Sequence, residues 1–454
     1  MRATACVLVA FFLTMSSPRA VIAATYFVRQ TVGKDSNAGT SPDKAWQHIS
    51  MLTTAMHGGD TAYVGPGLYR EQITVSYDGT PEKRITFIAD TTGQLTGDPA
   101  GTVMIAGSEP MDGKIFGPHS TPGVYKAPLS DPPRGLVEMD GPQGRYVQAR
   151  IEADYLQHKY TQLEVVEKMP SHFYYDEAEK TLYIHTSDGK PPTTHEMELI
   201  QRSHGILIIG HRYVTVKGFT FRHMGDAGIA FFEGSGNAIA VANTSYGSRQ
   251  GIRAYNATDV VVYGNILFRN ENCGVYFGEK SFGGTAIGNI AYENIKGIRW
   301  GNQSVYGLAM DNSVFENRDA GISIERADHI IVTGNKAVDN GQTQLRVNEG
   351  TVVAEGNCFQ KTGQQSIADF FFKYKSLVEY QQAQHQDLDS REGGCGAVAK
   401  KVDVHRLHAE TMGYAERARK ILGDSPDARV DGAPGNAKRG EADTGERGQR
   451  VLEP

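Results

Sequence analysis

Between Gly264 and Trp300 the chain reads GNILFRNENCGVYFGEKSFGGTAIGNIAYENIKGIRW. Two phrases of one form sit inside it, Gly264-Asn265-Ile266 running to Asn270 and Gly288-Asn289-Ile290 running to Asn294. Each is followed by a Gly-apolar pair, Gly274-Val275 and Gly297-Ile298. Outward from there the pair recurs at Gly205-Ile206, Gly228-Ile229, Gly251-Ile252 and Gly321-Ile322, at intervals of 23, 23, 23, 23 and 24 residues. Gln344-Leu345 continues the series without its glycine. A second register, 14 or 15 residues after the glycines, holds Asn243, Asn265, Asn289, Asn312 and Asn335, and Asn357 follows in step. A third lies five residues further on, at Asn270, Asn294, Asn317 and Asn340. Of 17 asparagines, 15 fall between Asn237 and Asn357, so the ladders belong to one repeat.

The period selects the architecture. Helical repeats need about 33 to 47 residues and propeller blades about 40 or more, and the leucine pattern of leucine-rich repeats is absent. Each unit alternates apolar and polar residues, as in GISIE (321–325) and HIIVTGN (329–335), which means short strands. Three such strands and three turns fill about 23 positions, and strands stacked about 4.8 Å apart make a β-solenoid. The asparagines are read as turn residues, because Asn tolerates left-handed backbone and its amide can bond the equivalent amide of the next coil.

Composition agrees. The chain has 454 residues with 46 Lys and Arg against 52 Asp and Glu, a net charge of −6, which argues against a nucleic-acid partner. Glycine, at 52 residues, exceeds its usual share without a collagen period, which points to many turns. Arg2, an apolar run from Ala5 to Met15 and small residues ending at Ala23-Ala24 read as a secretory signal peptide over 1–24, leaving no membrane span in the mature chain and a secreted or periplasmic protein. Three cysteines follow, Cys273, Cys358 and Cys395, with no CxxC. Cys273 is about four coils, or about 19 Å, from Cys358, beyond disulfide reach; Cys358 and Cys395 could pair to pin a C-terminal cap, a pairing the sequence leaves open.

The GN turns (Gly264 to Asn270, Gly288 to Asn294, Gly334-Asn335 to Asn340) and the Gly-Ile strand starts resemble the right-handed parallel β-helix superfamily, the fold of pectate lyases and related polysaccharide-active proteins. The fold expected is therefore all-β, a single-stranded right-handed parallel β-helix of about 23 residues per coil. An N-terminal cap with the first coils occupies 25–108, a loop and hairpin insertion 109–200, and the repeat core 201–360. A helical C-terminal cap follows over 361–422, from patterns at Ser366–Gln384 and Val402–Leu422, and a disordered tail over 423–454. Asp35 and Asn37 in the first Gly/Asn loop read as turn-stabilising residues. The hairpin text around His172–Tyr175 and Leu182–Thr186 is similar to insertions in β-helix glycosidases and lyases, and its aromatics are expected to pack.

Alternation assigns faces to the Gly-Ile strands. The residue after each glycine points inward and the next points out, so one outward column is Leu207, Ala230, Arg253, Tyr276, Arg299, Ser323, Arg346. A second is Ile209, Phe232, Tyr255, Gly278, Gly301, Glu325, Asn348, and the loops ahead add Asp226, Arg249, Asn272, Lys296 and Asp319. In the resembled fold this face is the polysaccharide cleft. Two chemistries fit. The first is β-elimination on a uronate-containing glycan, with Lys296, Arg299, Arg253 and Glu325 as catalytic candidates and Tyr255, Tyr276, Arg346 and Arg249 binding substrate. Asp319 is the candidate metal ligand, for the Ca²⁺ that such lyases often hold. The second is two-carboxylate glycoside hydrolysis, for which Glu233 and Glu279 lie two coils, about 9.6 Å, apart. The surplus of cations in the outward columns favours the lyase. The short loops ahead of the glycines make the cleft shallow, which favours the remaining alternative, a non-catalytic carbohydrate-binding or cell-surface module.

Overall fold

Runs of three to six alternating residues, most of them closed by a residue in left-handed backbone, make strands of that length and no longer. In the computed structural model, which describes residues 23–142, 144–149, 152–153, 159–370 and 372–396, these strands stack into three sheets of ten strands each. Residues 1–22 of the stretch 1–24 read as a signal peptide, the helical pattern at 402–422 and the tail from 423 lie outside the described residues. The first sheet contains His204–Ile209, Ala227–Phe232, Gln250–Tyr255, Cys273–Gly278, Lys296–Gly301, Ala320–Glu325, Thr343–Asn348 and Ser366–Phe370. These eight pair in parallel, coil upon coil. The second sheet follows each of these strands after a turn (for example Val261–Tyr263) and the third follows the second (Ile266–Phe268). The fold is a right-handed parallel β-helix. No helix among the described residues is long and apolar enough to cross a membrane.

The inward column is buried as the alternation requires. Ile206, Ile229, Ile252, Val275, Ile298, Ile322 and Leu345 are at most 1% exposed and lie within one apolar core. Burying one such side chain contributes about 1.5–3 kcal/mol, repeated in every coil.

The asparagines sit where the registers put them and act through their side chains. Asn289 Nδ2 donates to Val262 O at 2.9 Å and to Asn312 Oδ1 at 3.0 Å, while its own Oδ1 accepts from Asn265 N and Nδ2. The same bonds repeat from Asn243 to Asn357 between the second and third sheets. A second ladder runs from Asn270 to Asn340 between the third and first sheets. The left-handed residue is the one before each asparagine: Ala242, Gly264, Gly288, Asp311, Gly334 and Gly356 in one ladder, Arg269, Glu293, Glu316 and Asp339 in the other. The bend is thus made one position earlier than the sequence reading put it, and the asparagine satisfies the backbone groups the bend exposes. The glycine column has a related cause. A Cβ on Gly321 would lie 2.6 Å from Asn340 Nδ2. In the next coil Gln344 replaces glycine and its Oε1 accepts from Asn340 Nδ2 at 2.8 Å, ending the ladder where no further asparagine follows.

At the C-terminal end the structure corrects the helical reading of Ser366–Gln384. Ser366–Phe370 is a further first-sheet strand, with Ala368 opposite Leu345, and Phe372–Tyr374 folds back on it. Ile367 and Ala368 are fully buried, so the inward column runs one coil past Phe359. Helix occupies only Leu377–Gln384. Arg391–Glu392 then pairs with Cys358–Gln360, and Cys358 and Cys395 form a disulfide. At the other end Asp35 Oδ1 accepts from Gln47 N and His48 N, and Asn37 Nδ2 donates to Ala45 O, so both hold a turn.

The insertion leaves the coil after Val103–Ala106 and rejoins it at His204. Ser108–Met111, Gly135–Glu138 and Met197–Ile200 form an antiparallel sheet, and His172–Asp176 pairs with Thr181–His185 as a hairpin. Phe173, Tyr175, Leu182 and Ile184 are buried in the insertion's own small core, so these aromatics pack.

A charged face on the first sheet

The strand register carries the outward side chains into one row. Leu207, Ala230, Arg253, Tyr276, Arg299, Ser323 and Arg346 are successive partners, and the row extends to Asp369. In the parallel row Tyr255 faces Phe232 on one side, and Glu325 lies between Gly301 and Asn348. The two rows are bare at Gly278 and Gly301, where the rings and guanidinium of their neighbours fold over: a Cβ on Gly278 would meet Tyr276, and one on Gly301 would meet Arg299.

Three ion-pair groups lie along this face. At one end Asp226 Oδ2 accepts from Arg253 Nη1 at 2.8 Å and lies 3.2 Å from His204 Nε2. The Arg253 guanidinium also sits over the rings of Tyr255 and Phe232, at 5.0 and 5.2 Å. In the middle Glu325 receives Lys296 Nζ at 2.5 Å, Arg299 Nη2 at 2.6 Å and Ser323 Oγ at 2.6 Å. Arg299 lies over the Tyr276 ring at 5.0 Å, and Asn302 Nδ2 donates to the Tyr276 hydroxyl at 3.1 Å. At the far end Arg346 Nη1 donates to Asp319 Oδ2 at 2.6 Å, and its Nε lies 3.5 Å from Asp369 Oδ2. Lys296 links the last two groups, since Asp319 Oδ2 is 3.8 Å from its Nζ.

The electrostatics follow from these contacts. Burial pushes Glu325 up, but hydrogen bonds from Lys296 and Ser323 and the charge of Arg299 outweigh it and hold the carboxyl below the usual carboxylate range. Asp226 is likewise held low against its burial, by His204 and Arg253. Burial raises the Tyr276 phenol. The Cys273 thiol, fully buried behind the face, is pushed up to about 12 by burial, which keeps it protonated and inert.

Of the residues singled out from the sequence, Arg253, Tyr276, Arg299, Arg346, Lys296, Asp319 and Glu325 are thus brought into one connected face, with Tyr255 beside them. Arg249 is exposed in its loop. Glu233 and Glu279 are in left-handed backbone at strand ends, Glu233 exposed and Glu279 bonded to Asn302. The surplus of cations seen in the columns does not survive folding, because Asp226, Glu325, Asp319 and Asp369 each pair with one or more of them. Asp369 was hidden by the helical reading of its strand, although it lies 23 residues after Arg346.

A second polar cluster, built where the insertion meets the coil, had no sequence signal. Buried Glu198 accepts from Arg70 Nη2 at 2.8 Å, Arg222 Nη2 at 3.0 Å and Ser108 Oγ at 2.6 Å, and lies 3.2 Å from His223 Nδ1. Ser108 Oγ and Glu198 approach the same nitrogen of His223, so the three do not form a proton relay. The cluster ties the insertion to the third sheet.

A family model described as periplasmic copper-binding protein (NosD) matches residues 184–364, the span of the repeat and its approach. No curated protein matches the sequence. Among solved structures, XylC in complex with xylose aligns with a TM-score of 0.50 at 14% identity over 76% of this chain and 69% of that one. A glycoside hydrolase aligns with a TM-score of 0.51 at 9% identity, over 77% of this chain and 90% of that one. Pectate lyase Pel9A aligns with a TM-score of 0.48 at 14% identity, over 78% and 73%. Likeness at these identities is one of fold.

Proposed function

Taking the chain as a right-handed parallel β-helix protein, we propose that it is an exported polysaccharide-processing enzyme that cleaves an acidic, uronate-containing glycan by β-elimination on the first-sheet face. The observation that carries this reading is the row of Arg253, Arg299 and Arg346, each two coils from the next and each held by a carboxylate that a sugar carboxylate can replace. A groove along stacked coils meets repeated sugars with repeated contacts. Arg253 Nε and Asp226 Oδ1, buried without a hydrogen-bond partner among the described residues, are further points for a sugar to satisfy.

The chemistry follows from the pairing. β-Elimination needs cations at the uronate carboxylate, where negative charge develops as the C5 proton leaves. Arg299 offers a planar donor fork for that carboxylate. Lys296, ion-paired to Glu325 and Asp319, enters as a second cation. When the substrate carboxylate takes Arg299, Glu325 loses one of the contacts that hold its pKa down, keeps those of Lys296 and Ser323, and serves as the proton acceptor. Two-carboxylate hydrolysis by Glu233 and Glu279 fits less well, because Glu233 is exposed and Glu279 is bonded to Asn302 at strand ends, while the carboxylates on the face, Glu325 and Asp226, are held low where the general acid needs a raised pKa. With its oxygens turned to Arg346 and Lys296, Asp319 serves as an anchor for those cations in preference to the calcium role read from the sequence.

Export is supported by the Cys358–Cys395 disulfide, a bond that persists in oxidising compartments, and by the periplasmic description of the matched family model. Copper is not carried over. The one group of described residues with metal-ligand geometry, Glu138, Asp140 and His195, lacks the thiolate and thioether donors that select copper(I).

The test is incubation with alginate, pectate and glycosaminoglycans, with and without calcium, followed by ultraviolet absorbance and reducing-end assays. An unsaturated product that vanishes in Arg299→Ala is expected. Reducing ends without new absorbance would replace the lyase with a hydrolase. Retention on a glycan without turnover would leave a binding module, the reading that the complete ion pairing of the resting face favours.

A further inference from the structure

The insertion carries a polar cluster that the first-sheet chemistry does not use. Gly135–Glu138 pairs antiparallel with Met197–Ile200, with Glu138 opposite Met197. That pairing sets Glu138 and Asp140 beside His195. The His195 Nδ1 atom lies 3.3 Å from Glu138 Oε1 and 3.2 Å from Asp140 Oδ2, and Nε2 lies 3.1 Å from Asp188 Oδ1. The His195 side chain is 8% exposed and that of Glu138 1%. We propose that this is a binding site for a borderline divalent transition-metal ion of the zinc or manganese class, with Glu138, Asp140 and His195 Nδ1 as its protein ligands.

The orientation of the imidazole points to a cation. Nε2 faces the Asp188 carboxylate and Nδ1 faces those of Glu138 and Asp140, so each ring nitrogen meets only acceptors. With the hydrogen of the ring on Nε2, the Nδ1 position calls for a positive centre between the nitrogen and the two carboxylate oxygens, either a proton or a metal ion. A carboxylate on the far nitrogen is also the usual outer partner of a metal-bound histidine, fixing its tautomer and raising its basicity.

The carboxylates are held in place from behind. Glu138 accepts from the Tyr146 and Ser187 hydroxyls and from Ser187 N at 3.2 Å, and Asp140 Oδ1 accepts from Glu196 N at 3.0 Å. Ser187 Oγ donates to Oε1 itself, the oxygen that together with Asp140 Oδ2 is turned to Nδ1. Charge argues the same way. Glu138, Asp140 and Asp188 bring three negative charges, Lys190 offsets one from 2.7 Å, and a dication beside a neutral imidazole offsets the other two. The three ligand atoms lie within 4.8 Å of one another, and no other group of His, Cys, Asp or Glu among the described residues does this. Two carboxylates and one imidazole suit zinc or manganese, with water completing the sphere. The competing occupant of Nδ1 is a proton, since an imidazolium would make the same contacts.

The full chain, stripped of metal, is to be titrated with Zn²⁺ and Mn²⁺ by calorimetry at neutral pH, with Co²⁺ as a visible-absorbance probe of imidazole ligation. One site per chain is expected, weakened at least tenfold in His195→Ala and in Asp140→Asn. Asp140 is 46% exposed, so its asparagine variant keeps the fold. Arg299→Ala, which shares no contact with Glu138, Asp140 or His195, is expected to bind metal as the parent does, which separates this site from the glycan reading. Absence of one-to-one binding, or binding that survives in both His195→Ala and Asp140→Asn, would overturn the proposal and leave His195 as an imidazolium clasp.

Discussion

The asparagine ladders and the first-sheet face run through the same coils on opposite rules. In the ladder every coil repeats the residue, because every coil makes the same four contacts with it, and the side chains are at most 1% exposed. On the face successive coils differ: Arg253, Tyr276, Arg299, Ser323, Arg346. A solenoid imposes identity wherever the next coil is the partner. It leaves identity open where side chains turn outward and more than one kind of partner can satisfy them, as the mixed ion pairs of the face do. Repetition in this chain therefore marks what holds the coil, and loss of repetition within a strict register marks where function sits.

The largest effect that sharpens this contrast is in the ladder. Asn289→Ala strands the Val262 carbonyl and the Asn265 amide groups in a buried turn. Each unsatisfied buried group costs about 1–3 kcal/mol, so a loss of about 3 kcal/mol or more is expected in chemical unfolding, with activity per folded molecule unchanged. On the face the effects exchange. Arg299→Ala is expected to cut turnover at least about a hundredfold, as for loss of a donor to developing charge, with a smaller loss of stability than Asn289→Ala because Glu325 keeps Lys296 and Ser323. A neutral Asn289→Ala or a fully active Arg299→Ala would break the rule on its own side.

The same contrast explains what was legible in the sequence. The 23-residue step, the three sheets, the buried Ile206–Leu345 column and the outward row all follow from periodicity, because each position meets its own image one coil away. The sites of left-handed backbone were misplaced by one residue, since an asparagine in a turn signals either backbone strain or side-chain bonding and spacing does not separate the two. Asp369 was missed because Ser366–Gln384 also fits a helical spacing, although the step from Arg346 lands on it. The Glu198 cluster and the Glu138–His195 cluster were not legible at all. Each joins segments with no common period, Arg70 to Glu198 to Arg222 in one case, and only tertiary pairing brings them together.

Acid should probe the two kinds of region through their carboxylates. Burial pushes Glu198 up, but hydrogen bonds from His223, Arg70 and Ser108 and the charge of Arg222 hold it well below the usual range. Glu325 is held low on the face. A carboxylate whose folded pKa is depressed stabilises the fold fully above its unfolded value, about 4.3, and loses that contribution as pH falls toward the folded one. Unfolding free energy measured by urea from neutral to strongly acid pH is therefore expected to hold level and then fall below about pH 4.5. Glu325→Gln should flatten part of that fall without removing it, because Glu198 remains. A profile that is flat across this range would show that neither carboxylate is held as described.

The smallest effect lies on the solvent side of the ladder itself and tests whether repetition or burial is the operative rule. Arg269 and Glu293, each the residue before a ladder asparagine, form an ion pair with side chains 69% and 36% exposed. An exposed pair of this kind contributes between about zero and 1 kcal/mol, so Arg269→Ala is expected to shift stability by less than about 0.5 kcal/mol. Arg269 is also in left-handed backbone, at φ 51°, which costs about 1 kcal/mol for a residue with a Cβ. Arg269→Gly removes that strain but adds about 0.4–1 kcal/mol of unfolded-chain entropy, so it too should be near neutral. Glycine already fills the matching position of the other ladder at Gly264, Gly288 and Gly334. If both variants are neutral in thermal unfolding while Asn289→Ala is not, the coil constrains the buried amide and leaves its exposed neighbour free. A large loss in Arg269→Gly would instead mean that the exposed turn, and not the amide behind it, holds the coils in register.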